Sequence, residues 1–164
     1  MDLPASLKAL TQEVESHVAK SGWDQPVRLF ALVPTSTLLA SNPDLTLDES
    51  LPLTSVEQEL DAVVDLEEFL GTLGWPPDVT GAILVLERIV LPPTVEDEFD
   101  GDNQTMRTAM NHPERADVRI VSAVLKTGQT LNAIRQREHD SDELVAISEN
   151  LVPNLNEQLL ATFA

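Results

Sequence analysis

An α+β domain with a four-stranded, largely antiparallel sheet packed with N-terminal and C-terminal helices is the fold this sequence predicts. Three observations predict it. Leu3, Leu7, Leu10, Val14 and Val18 recur at spacings of three and four, which lays one apolar stripe along a helix over 3–20. Two apolar runs, near 27–33 and 79–91, are each bracketed by prolines, as strands commonly are. The segment "DVRIVSAVLKTGQTLNAIRQR" reads as two strands joined by a tight turn.

Each element has its own local cause. Pro4 suits the first turn of the N-terminal helix, and Gly22 suits the residue just past its end. Pro26 then marks the entry to a strand over Val27–Val33, which Pro34 stops. Residues 35–54 read as a connection, with Pro43 and Pro52. Thr54 in "TSVE" and Asp65 in "DLEE" both match a capping box, so a broken helix is expected over 55–73, ended by Gly74, Pro76 and Pro77. Val79–Leu91 is the most continuously apolar strand and is expected to lie centrally, buried on both faces. A short helix over 104–111 should stop before Pro113. The hairpin strands fall near 117–126 and 129–137, turned at Thr127-Gly128 where glycine allows positive φ. Two helical pieces follow, near 141–150 and 154–163, separated by Pro153.

The 164 residues suit one domain spanning 1–164. A chain of this size buries roughly 69% of its unfolded surface, enough to fold without a metal or disulfide staple. The apolar share of 42% and the mean hydropathy of −0.07 are globular values. There is no cysteine, which excludes thiolate chemistry and cysteine zinc sites. The N-terminal residues lack a basic segment followed by an apolar one, and no apolar run approaches the roughly 20 residues of a membrane span. The expected location is cytoplasmic.

Charge decides more. Asp plus Glu number 28 against 10 Lys plus Arg, a formal charge of −18. A small soluble domain carries about 2–8 charges. Direct binding to nucleic acid or to an anionic membrane is therefore disfavoured. A basic protein partner, a bound cation, or plain solubility in a salt-adapted host remain. The acids are spread along the chain and form no regular array that would imitate a DNA backbone.

Several residues carry possible chemistry. His112, in "AMNHPERADVRIV", is a candidate general base, but there is no cysteine, no tyrosine and no Gly-x-Ser-x-Gly elbow for it to serve. A helix ending at Pro113 explains it locally, since a histidine in the last turn favours the helix dipole. The loop Glu96–Asp102 begins like a calcium loop, but Arg107 stands where a bidentate glutamate is needed. No metal and no cofactor are expected.

Six of the ten basic residues lie in 107–137: Arg107, Arg115, Arg119, Lys126, Arg135 and Arg137. Alternation puts Arg135 and Arg137 on one strand face, with Arg119 on the neighbouring strand. Glu87 and Arg88 sit mid-strand in the most apolar segment, an unusual place for charge. Arg88, Arg119 and Arg135 are the candidate anion-binding set, with His112 or Glu87 to handle protons. The competing reading pairs these arginines with the surplus acids. Trp23 in "GWDQP" and Trp75 in "GWPPD" are read as closing the ends of the core.

The segments "GWDQPVRLFALV", "VEQEL", "WPPDVTGAILVLERIVLPP", "HPERADVRIVSAVL" and "LVPNL" run through most of the chain. With them the sequence resembles an actinobacterial family of uncharacterised small acidic proteins first described by a Propionibacterium member. The resemblance implies one small cytoplasmic α+β domain. It implies no activity and supplies no catalytic residues. The function expected from the residues is non-enzymatic: an interaction or adaptor domain whose acidic surface holds a protein partner or a second copy of the chain. The alternative is a protein that binds, or acts on, a small anion through the arginine cluster.

Overall fold

The computed structural model describes residues 2–90 and 116–164. Elements are numbered in chain order among these residues. They are α1 (Leu3–Ala19), β1 (Arg28–Pro34), α2 (Thr35–Ser41), β2 (Leu53–Gln58), α3 (Leu66–Thr72), β3 (Gly81–Val90), β4 (Ala116–Leu125), β5 (Thr130–Gln136), β6 (Ala146–Ser148) and α4 (Pro153–Ala161). The strands form one six-stranded sheet in the order β2-β1-β3-β4-β5-β6. Every pairing in it is antiparallel. Among the described residues no helix is long and apolar enough to cross a membrane.

The core follows from strand alternation. Phe30, Leu32, Ile83, Val85, Val121, Ala123 and Ala133 face one side of the sheet, where Leu7, Leu10, Val14 and Val18 of α1 cover them. Their neighbours Leu29, Ala82, Leu84, Leu86, Val118, Ile120 and Val124 face the other side, against Leu70 of α3 and Leu155 and Leu159 of α4. The sheet is thus the middle layer, and β3 is buried on both faces as its unbroken apolar run predicts. Gly81 opens β3 so close to β4 that a Cβ there would lie 2.3 Å from the Val124 carbonyl oxygen. Gly128 adopts φ +111 in the β4–β5 turn.

The expected N-terminal helix, central strand, hairpin and final helix are present with boundaries shifted by a few residues. Asp2 caps α1 by accepting from the Ala5 N–H at 2.8 Å, and Asp65 caps α3 by accepting from the Glu68 N–H at 3.0 Å.

Four expectations are corrected. The sheet has six strands, not four; the two extra ones, β2 and β6, are both short edge strands. The first four residues of the expected 55–73 helix belong to β2, and the helix itself is α3. The Thr54 hydroxyl does not cap a helix; it meets the Thr35 hydroxyl at 2.9 Å, and β-branched Thr54 and Val56 pair along β1. The 35–54 connection opens with the one-turn-and-more helix α2, seated by Thr35, whose hydroxyl donates to the Leu51 carbonyl at 2.7 Å. The expected 141–150 helix is replaced by one 3₁₀ turn, Asp142–Leu144, followed by β6, with a second 3₁₀ turn, Arg137–His139, just before it. Asp140 and Asp142 are drawn to Arg135, and Ala146–Ser148 pairs with β5. The expected 104–111 helix, the acidic loop Glu96–Asp102, Arg107, His112 and Arg115 lie outside the described residues.

Candidate functional site

The charged residues of the sheet converge on the turn between α1 and β1. That turn is "GWDQ", with φ +82 at Gly22 and φ +65 at Asp24. Two left-handed residues reverse the chain sharply, and aspartate tolerates this conformation better than most side chains. The reversal leaves backbone groups that no helix or strand bonds, and the charges of β3 and β4 take them up. The Glu87 carboxylate accepts from the Asp24 N–H at 2.9 Å and from the Gln25 N–H at 3.0 Å. Arg119 donates to the Gly22 carbonyl. Gln25 turns back to the end of α1, donating to the carbonyls of Val18 at 2.8 Å and Gly22 at 2.6 Å.

Glu87, Arg119 and Arg135 sit side by side on β3, β4 and β5, on the face that α1 covers. Arg119 is 1% exposed. The Trp23 ring lies over its guanidinium at 4.3 Å, and Arg137 approaches the same ring at 5.7 Å. A desolvated contact of this kind stabilises by about 2 kcal/mol. The Trp23 indole N–H donates to Asp140 at 3.0 Å.

Arg135, 3% exposed, is the hub of the lattice. It binds Glu15 of α1 bidentately at 2.9 and 2.6 Å. It also donates to Asp140 at 3.0 Å and to Asp142. Arg137 holds Asp24 bidentately at 3.0 and 3.1 Å. On the other side of the turn, Arg28 grips Glu57 with two bonds of 2.7 Å and reaches the Gln25 side-chain oxygen at 3.1 Å.

The structure therefore brings Glu87, Arg119 and Arg135 together. Arg88, one residue beyond Glu87, faces the opposite side of the sheet and is exposed. His112 lies outside the described residues. Sequence reasoning missed Glu15, Trp23, Asp24, Asp140 and Asp142 as members of the cluster. One of these was readable: Glu15 lies four residues after Thr11 and three before Val18, on the buried stripe of α1.

This arrangement is a clasp between α1 and the sheet, built of forked guanidinium–carboxylate pairs. Among the described residues, no hydrogen bond joins a hydroxyl to a histidine, and no group of three or more His, Asp or Glu is placed to hold a metal ion. Nε and Nη1 of Arg119 are buried and have no hydrogen-bond partner among the described residues.

The clasp has an acid limit. The Arg137 guanidinium holds the Asp24 carboxyl below its ordinary range. The Trp23 indole N–H, and then Arg135, do the same for Asp140, and Arg28 does so for Glu57. Carboxyls depressed by folding add stability that is complete above their unfolded values, about pH 4, and that is lost as pH falls through their lower folded values. In a Trp75→Phe chain, Trp23 fluorescence is expected to report this opening as a transition centred below about pH 4. A transition centred above about pH 5 would mean that other groups govern the clasp.

A second feature lies across the sheet. Trp75 stacks on Phe163 with ring centroids 5.6 Å apart and donates to the Thr162 hydroxyl at 2.9 Å. The two rings border an open groove of about 760 Å³ beside Leu73, Pro76 and Lys126.

Comparison with curated proteins and with solved structures returned no match. A family model does match, over residues 7–164 and thus across both helical layers and the whole described sheet, and by it the chain belongs to the PPA1309-like protein family.

Proposed function

We propose that the chain is a non-enzymatic interaction domain that holds a basic protein partner on an acidic surface. One observation carries this reading: four arginines in or next to the sheet are taken up by the protein's own carboxylates. Arg119 and Arg135 are buried, and Arg28, Arg119, Arg135 and Arg137 are each engaged by a carboxylate. The field outside the molecule is accordingly set by the surplus of a −18 chain. Such a field speeds encounter with a basic partner and repels nucleic acid and a second copy of the chain. The homodimer is thereby the weaker form of the reading.

The test is affinity capture from lysate of the source cells, followed by rebinding of the purified partner at low and high salt. One stoichiometric basic partner is expected, released when the Debye length is cut from about 10 Å to about 3 Å. Capture of nothing, or of partners indifferent to salt, overturns the proposal.

A second reading is favoured by one specific observation, the two unpartnered nitrogens of buried Arg119. Such donors suit a small anion. The engagement of Arg135 by Glu15, Asp140 and Asp142, and the position of Arg88 on the opposite face, weigh against a three-arginine site. A melting-temperature rise with inorganic phosphate at fixed ionic strength, lost in Arg119→Met, would promote this reading.

A further inference from the structure

We infer that the free edge of β2 is the docking surface, and that it takes an extended basic segment of the partner as an added strand. This rests on the interaction reading and gives it a location. β2 ends the sheet, and among the described residues no strand pairs with its outer side. The phase of its ladder is fixed by the Thr35 N–H, which donates to the Pro52 carbonyl at 2.9 Å. With the β1–β2 register, that bond places Thr54, Val56 and Gln58 in the pairs bonded to β1. Ser55 and Glu57 therefore turn their backbone N–H and C=O outward. An open row of this kind is a template for another chain. The opposite edge, β6, is only three residues long and offers far fewer groups.

Charge selects the occupant. Between Arg28 and Arg88 there is no Lys, Arg or His. Residues 42–68 carry nine acids: Asp44, Asp48, Glu49, Glu57, Glu59, Asp61, Asp65, Glu67 and Glu68, all exposed. Among the described residues only Glu57 of these is ion-paired, to Arg28. The chain leaving β2 borders an open cleft of about 960 Å³, where Glu57, Glu59 and Asp61 recur at every second residue beside Val27, Leu60 and Val63. An incoming basic strand paired with β2 would meet Glu57 on it and run toward Glu59 and Asp61 just past its end. A second copy docked here would bring its own exposed acids of 42–68 close to these, a like-charge approach that is unfavourable.

The test uses a fluorescent peptide of alternating lysine and threonine, its twin N-methylated on every amide, and the full chain with and without Ser55→Pro. Methylation keeps every charge and side chain but removes the N–H donors of both edges. Proline at position 55 removes an outward N–H and leaves the β1 ladder intact. The plain peptide is expected to bind, and methylation and Ser55→Pro are each expected to weaken it by about tenfold or more. Glu59→Gln with Asp61→Asn is expected to weaken it and to flatten its salt dependence. Should Ser55→Pro lower the melting temperature, the methylated twin on the unaltered chain decides.

Equal, salt-sensitive binding of both peptides overturns the edge and leaves the acidic-surface reading standing. Binding of neither overturns the edge, and the interaction reading then stands or falls on lysate capture. A dimer that Ser55→Pro converts to monomer in sedimentation overturns the basic occupant in favour of a second copy.

Discussion

Arg135→Met is expected to lower stability by about 3–5 kcal/mol and the melting temperature by about 6–20 °C. The cost does not come from the loss of an attractive pair as such. It comes from what stays behind. Glu15 is 4% exposed on the inner face of α1, and both of its oxygens are taken by Arg135. Without the guanidinium, a carboxylate faces the sheet with neither water nor a counter-charge, the most expensive outcome for a buried ion.

The double variant Glu15→Leu with Arg135→Met separates the two contributions. Replacing a whole buried pair by apolar side chains is often neutral or better, so the double variant should recover most of the loss. Arg135→Lys should recover little, because one ammonium cannot reproduce a fork that serves Glu15, Asp140 and Asp142 together. A loss below about 1 kcal/mol for Arg135→Met would mean that Glu15 reaches solvent and that the clasp is a surface feature.

Part of this clasp was legible in the sequence: its arginines and Glu87, but not Trp23 or the carboxylates that complete it. The expected hairpin put Arg119 on the strand beside Arg135, and charge in the middle of β3 marked Glu87 as unusual. What neither pattern could show is that Glu87 serves the backbone of a turn more than sixty positions away. Bonds across such separations follow from how strands assemble, which local spacing does not encode. The missed strands have a related cause. β2 and β6 are short edge strands, stabilised by one neighbour each, so their own sequences carry little alternation to read. The capping-box pattern at Thr54 matched a helix start as well as the true one at Asp65, because four residues cannot tell a cap from a β-branched strand entry. β3, β4 and α1, which bury whole faces, were read close to their observed limits.

Asn132→Ala is expected to cost about 2–4 kcal/mol, and to act mainly on α4. Asn132 is fully buried on β5, on the face that α4 covers. Its side-chain oxygen accepts from the Leu151 N–H at 2.9 Å, the Val152 N–H at 3.2 Å and the Asn156 amide at 3.0 Å. Its amide returns a bond to Asn156 at 2.7 Å, and Ser122 donates to that same Asn156 oxygen at 2.6 Å. α4 has no side-chain cap of its own at Val152. A strand residue therefore supplies the acceptor for the Leu151 and Val152 N–H groups and fixes the chain at the entry to α4. Alanine removes it and strands three donors in a poorly hydrated place. Asn132→Asp keeps the acceptor but brings an uncompensated charge into the core, so it should rescue nothing. The measurements are the urea midpoint at constant slope and amide exchange at Leu151 and Val152. Exchange there should accelerate more than at β3. Because Phe163 follows α4 and stacks on Trp75, Trp75 emission should shift as well. Uniform acceleration across the sheet would mean that the asparagine stabilises the whole fold and does not seat α4. An unchanged midpoint would mean that apolar contact through Leu155 and Leu159 alone seats the helix.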